Sequence, residues 1–120
     1  APFHVYSMRQ AIEESGKRAV VVACTGLSGR FFTEEVDPRT DRFAHAEDDT
    51  WNRRILDLIE QGKNSEVLAL SGEYARAAVA DMGFKAFAWL MGTLGTPATL
   101  GTVLAYGPVW GTGAAVVEYA

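Results

Sequence analysis

The feature that most limits what this chain can become is the run "RAVVVAC", residues 18–24, with "TGLSG" directly behind it. Three consecutive valines between alanines read as a buried strand, because β-branched side chains pack well on a pleated surface. Ser15-Gly16 before the run and Gly26-Leu27-Ser28-Gly29 after it act as stop signals, so the strand is expected to end in a tight turn built to present something. A strand apolar on both faces needs neighbouring strands and covering helices. Cys24 is expected to lie buried within it, free cysteine being among the most buried residue types.

The flanks supply candidates for those neighbours. Met8, Ala11 and Ile12 recur at helical spacing between Tyr6 and Glu14, which predicts a short amphipathic helix. Residues 30–48, "RFFTEEVDPRTDRFAHAED", show neither helical nor strand period and form a long charged excursion. At Asp48-Asp49-Thr50, capping-type residues precede Trp51, Ile55, Leu58 and Ile59, which predicts a helix from there to Gly62. A second helical region is expected from Ser65 to Met82, kinked at Ser71-Gly72. A third runs from Phe84 to Leu94, with Phe87, Ala88 and Met91 on one face and Gly95 past its end. The glycine-punctuated tail predicts two strands joined near Gly107-Pro108 or Gly111-Thr112-Gly113.

Composition narrows the class. With 120 residues, 48% hydrophobic and 22% charged, residues 1–120 read as one globular domain. A net charge of −4 leaves no basic face for a nucleic-acid backbone. No apolar run is long enough to span a bilayer and no secretory signal opens the chain, so no membrane partner is expected and the cytoplasm is the default. One cysteine allows no internal disulfide.

Two chemical readings of the turn compete. Cys24-x5-Arg30 is the spacing of a phosphate-cradling loop in cysteine phosphatases, where backbone amides and a guanidinium hold an oxyanion. Yet Phe31-Phe32 follow where such a loop would open a helix with Ser or Thr. His4 and His45 stand far apart without cysteine partners, which gives no zinc spacing. His45 lies among Asp41, Glu47, Asp48 and Asp49, a set better explained as a solvated acidic loop. The glycines of "YGPVWGTGAA" do not follow the strand, G-x-G-x-x-G, helix order of dinucleotide binding.

Four phrases, "VVVACTGLSG", "WNRRILDLIEQG", "DMGFKAFAWLMGTLG" and "AYGPVWGTGAAVVEY", occur in the order in which they stand in the C-terminal half of class III extradiol ring-cleaving dioxygenases, the protocatechuate-dioxygenase type. The resemblance spans nearly the whole chain and is greatest to the 2-aminophenol-cleaving branch, which pairs a catalytic β chain with a related α chain that has lost its iron. It implies an α/β fold, the C-terminal part of a mixed sheet flanked by helices, within a longer subunit.

The resemblance also implies a vacated site. In active members the turn reads Gly-Leu-Ser-His and the histidine acts as acid and base; after Gly26, Leu27 and Ser28 this chain has Gly29. Active members carry an iron-binding glutamate two residues beyond the glycine that aligns with Gly83, and here that position is Lys85. The two histidine ligands of the N-terminal half have no counterpart. Glycine cannot transfer a proton, and a protonated amine offers iron no lone pair. A structural, non-catalytic subunit without its own cofactor is therefore expected, partnered by a catalytic subunit that holds Fe(II), by further copies of itself, or by both. The alternatives are a catalytic Fe(II) dioxygenase whose histidines lie outside these residues, and the cysteine phosphatase.

Overall fold

The computed structural model describes residues 2–95 and 99–119, with side chains described from Met8 onward. Helix α1 spans Pro2–Ser15, α2 Ala46–Glu60, α3 Asn64–Ala77 and α4 Lys85–Leu94. Strands β1, Gly101–Val109, and β2, Thr112–Tyr119, close the chain, and short 3-10 turns form at Pro38–Thr40 and Asp81–Phe84. Among the described residues no helix is long and apolar enough to cross a membrane.

Helix α2 organises the core. Its buried residues Asp48, Asn52, Ile55, Leu56 and Ile59 fall on one stripe at helical spacing. Glu47, Asp48 and Asp49 occupy its first turn, where carboxylates complement the positive end of the helix dipole. The helix begins two residues earlier than its acidic residues suggest, at an N-cap His45 whose side chain does not cap. It ends in a Schellman motif: Gly62, at φ +73°, donates to Ile59 O, and Lys63 N–H donates to Leu58 O.

Helix α3 runs unbroken through Ser71-Gly72, contrary to the kink expected there, since glycine costs a helix only about 1 kcal/mol and packing of Val67 and Tyr74 outweighs it. In α4, Phe87 and Met91 are buried while Ala88 faces out. Gly95, left-handed at φ +67°, caps α4 by donating to Met91 O. Tyr74 meets Phe84 edge-on at 5.2 Å, and Phe84 stacks on Phe87 at 5.1 Å, so aromatic rings join α3 and α4 within the core.

The hairpin is antiparallel, with Gly101 opposite Tyr119 and Val109 opposite Thr112, and carries a bulge between Val103 and Ala105. Its turn is Trp110-Gly111, both at positive φ (56° and 91°), the geometry whose twist matches a hairpin. The charged excursion grips this turn. Phe32 N–H donates to Trp110 O at 3.1 Å, Ala44 N–H to Gly111 O at 2.9 Å, and the Asp41 carboxylate accepts from the amides of both turn residues.

The expected strand at 18–24 does not form. The chain combines helices and strands as anticipated, but the sheet among the described residues has two strands, both in the hairpin. Residues 18–24 have no regular structure, Val20 is 91% exposed and Val22 69%, and Cys24 is exposed rather than buried. β-branched composition favours a strand only when a neighbour accepts the ladder, and no described segment forms one with these residues.

Candidate functional site

The turn Gly26–Gly29 is held on every side. Gly26 N–H donates to Asp81 Oδ2 at 3.0 Å, Leu27 N–H to Gly113 O at 3.0 Å, Ser28 N–H to Asn52 Oδ1 at 3.2 Å and Gly29 N–H to Ala78 O at 3.1 Å. In return Leu27 O accepts from Asp81 N–H and Ser28 O from Gly113 N–H. The turn thus knits together α2, the start of β2 and the 78–81 segment that follows α3.

Beneath it lies a buried polar cluster. Asn52 is fully buried on α2, in phase with Ile55 and Ile59. Its Nδ2 donates to Ser28 Oγ at 2.9 Å, and its Oδ1 accepts from Tyr74 Oη–H at 2.7 Å as well as from Ser28 N–H. Burial, then the nearby Tyr106 and Asp48, hold the Tyr74 hydroxyl far above the ordinary tyrosine range, so it remains a donor. One helical turn earlier, Asp48 is fully buried; its Oδ1 accepts from Arg30 Nη1, while Oδ2 is buried with no hydrogen-bond partner among the described residues. Arg30 Nη2 also donates to Ala77 O at 3.0 Å.

Two glycines here are demanded by close approach. A Cβ on Gly29 would sit 2.3 Å from Val79 O, and one on Gly113 would sit 2.2 Å from Asn52 Nδ2. Gly26 has ordinary clearance of 3.6 Å. The segment facing Gly29 is itself strained: Val79, Met82 and Phe84 all adopt positive φ (49°, 50° and 60°), which costs a β-branched or bulky residue most.

This geometry does not favour the phosphatase chemistry. An oxyanion cradle needs free amides, and all four of the turn are bonded within the protein; the Arg30 guanidinium is engaged by Asp48 and Ala77. Cys24 stands exposed, ahead of the turn. The acidic loop is likewise structural: Asp41 holds the hairpin turn, Asp48 pairs with Arg30, and Asp49 accepts from Tyr106 Oη–H at 2.6 Å and pairs with Arg53. His45 is exposed, and the side chain of His4 lies outside the described residues.

Gly29 and Lys85, the positions the resemblance singles out, lie at opposite ends of the strained segment. Gly29 abuts Val79 at its start, and Lys85, exposed, follows Phe84 as the first residue of α4. These residues do not fit an Fe(II) centre. Gly29 brings no side-chain donor and leaves no room for one, and the exposed Lys85 ammonium offers a cation no lone pair.

Sequence reasoning missed Asn52, Tyr74 and Asp81. Asn52 was detectable, as a polar residue on the apolar stripe of α2. Asp81 carried no such mark.

No protein-family model matches the chain. It is similar to the alpha subunit of 2-aminophenol 1,6-dioxygenase from a Pseudomonas species, with 44% identity over 108 residues, 90% of this chain and 40% of that subunit. It is also similar to the beta subunit of 2-aminophenol 1,6-dioxygenase from a Pseudomonas species, with 36% identity over 115 residues, 92% of this chain and 38% of that subunit. The chain thus spans about two fifths of the length of these relatives, and its identity is higher to alpha than to beta.

Proposed function

We propose that this chain is a non-catalytic part of an extradiol ring-cleaving dioxygenase, supporting a catalytic subunit that holds Fe(II) and opens the ring of 2-aminophenol or a related catechol in the cytoplasm. In this reading Gly29 replaces the proton-transfer histidine and Lys85 the iron-binding glutamate. Both relatives are dioxygenase subunits, and the greater identity to alpha supports placing the chain on the alpha side of the pair.

The observation that carries the reading is the closure of the turn at Gly29. A residue there must lie where Val79 O already sits, 2.3 Å from its Cβ, and the Gly29 amide is bonded to Ala78 O. The turn keeps a defined shape through Asn52 and Asp81 yet presents no side chain that could move a proton. Its remaining capacity is structural.

The test loads the purified chain anaerobically with Fe(II), adds 2-aminophenol or catechol, then admits oxygen. No ring-opened product and no stoichiometric iron are expected, and the same holds for Gly29→His combined with Lys85→Glu. In a second arm, the chain is mixed with a 2-aminophenol 1,6-dioxygenase beta subunit, and a stable complex is expected. Product formed by this chain alone, with iron at one site, overturns the reading.

A further inference from the structure

We infer that residues 78–84 form a two-state strap over the Gly26–Gly29 turn, closed in this structure, whose opening frees the Gly26 and Gly29 amides together. The four amides of the turn fall into two classes by partner. Those of Leu27 and Ser28 bond to Gly113 O on β2 and to the buried Asn52 on α2. Those of Gly26 and Gly29 bond to the strap, at Asp81 Oδ2 and Ala78 O. The strap also reaches Thr25, whose Oγ1 donates to Asp81 Oδ2 at 3.3 Å.

The closed state is strained by its own register. Gly29 N–H to Ala78 O and Asp81 N–H to Leu27 O bracket one residue of the turn, Ser28, but two of the strap, Val79 and Ala80. An extra residue between paired bonds makes a bulge, and the left-handed position of such a bulge ordinarily belongs to glycine. Here Val79 fills it at φ +49°, a conformation that β-branching penalises most. Met82, Gly83 and Phe84 then follow in left-handed succession at φ 50°, 63° and 60°.

Both ends of the strap are anchored, and its middle is held only from the turn. At the start Arg30 Nη2 donates to Ala77 O, and at the end the buried Phe84 ring meets Tyr74 and Phe87. Val79 lies outside the buried core, so hydrogen bonds rather than core packing impose its angle.

The open state is one peptide rotation away. The Ala78–Val79 peptide sets both the φ of Val79 and the direction of Ala78 O. Turning it over carries Val79 into the extended region, where a β-branched residue is most at ease, and breaks the bond that Ala78 O accepts from Gly29 N–H. Ala78, now at φ −110° and ψ 7°, passes into extended backbone as well. Strain released at Val79 offsets hydrogen bonds lost at the turn, which makes this opening easier than unfolding the chain.

Amide hydrogen exchange read residue by residue by NMR tests the strap. The Gly26 and Gly29 amides are expected to share one opening constant, at least about tenfold larger than that of Leu27 and Ser28. Asp81→Ala leaves both partners of the Gly29 bond in place, yet it is expected to raise the Gly29 opening constant about tenfold and to move the amide–Hα coupling of Val79 toward its extended value.

The strain is read at Val79 itself. Val79→Gly and Val79→Asn, which tolerate left-handed backbone, are expected to lower the Gly26 and Gly29 opening constants about tenfold. Val79→Thr, equally β-branched, is expected to leave them unchanged. If Asp81→Ala unfolds the chain, the Val79 series still decides. Four amides with one common opening constant, a Gly29 amide indifferent to Asp81→Ala in a folded chain, or Val79→Asn and Val79→Thr behaving alike overturns the inference.

Discussion

Residues 18–24 and residues 26–29 are neighbours in the chain and opposites in the fold. The first has the stronger strand composition and makes no backbone hydrogen bond among the described residues; the second, two glycines around Leu27-Ser28, has every amide bonded. The turn is fixed because α2, the start of β2 and the 78–81 segment each place a polar group at it. The run is left open because no described segment hydrogen-bonds to its backbone. Local propensity sets what a segment can become, and partners set what it is.

The largest expected effect breaks the turn at its tightest point. Gly29→Ala forces a Cβ against Val79 O and is expected to destabilise the chain by about 4 kcal/mol, whereas Gly26→Ala, with 3.6 Å of clearance, is expected to cost under about 1 kcal/mol in urea denaturation. Comparable losses at both positions count against the close approach.

Arg30→Ala comes next. It leaves the fully buried Asp48 carboxylate without its cation, and a loss of about 3 kcal/mol is expected by the same measurement. A loss under about 1 kcal/mol shows that the pair is dispensable to the turn.

Tyr74→Phe removes one of the donors to Asn52 Oδ1 and is expected to cost about 1 kcal/mol at neutral pH. It also has a pH signature. The folded state holds the Tyr74 proton above its unfolded value, so its contribution is fully present below about pH 10 and falls as pH rises beyond it, by up to about 1.4 kcal/mol per unit. Tyr119, pushed up to about 12 by burial, adds a second falling arm between pH 10 and 12. Alkaline titration of thermal stability is expected to be shallower in Tyr74→Phe than in the parent chain, and an unchanged slope removes Tyr74 from the cluster.

The smallest effect belongs to the open run. Val20→Thr is expected to change the stability of the dilute chain by less than about 0.5 kcal/mol, because Val20 is 91% exposed. Hydrogen exchange sharpens the contrast: the amides of residues 27–29 are expected to be protected, and those of 19–23 to exchange near intrinsic rates.

The sequence by itself determined the elements whose causes are local. The apolar period of α2, Gly62 and Gly95 at helix ends, and the glycine-marked hairpin are all visible in short windows, since helix periodicity, left-handed caps and tight turns depend on residues within a few positions of one another. The phrases that resemble extradiol dioxygenases were legible in the same way. The tertiary structure alone decided the fate of the valine run, because a strand exists only through hydrogen bonds to another segment. It alone decided that Gly29 is closed off, a matter of where Val79 O lies after α3 has ended. It also turned Asp48 and Asn52 from a helix cap and an unremarked polar residue into the buried floor of the turn, since a polar side chain takes its role from the groups that distant parts of the chain bring within reach.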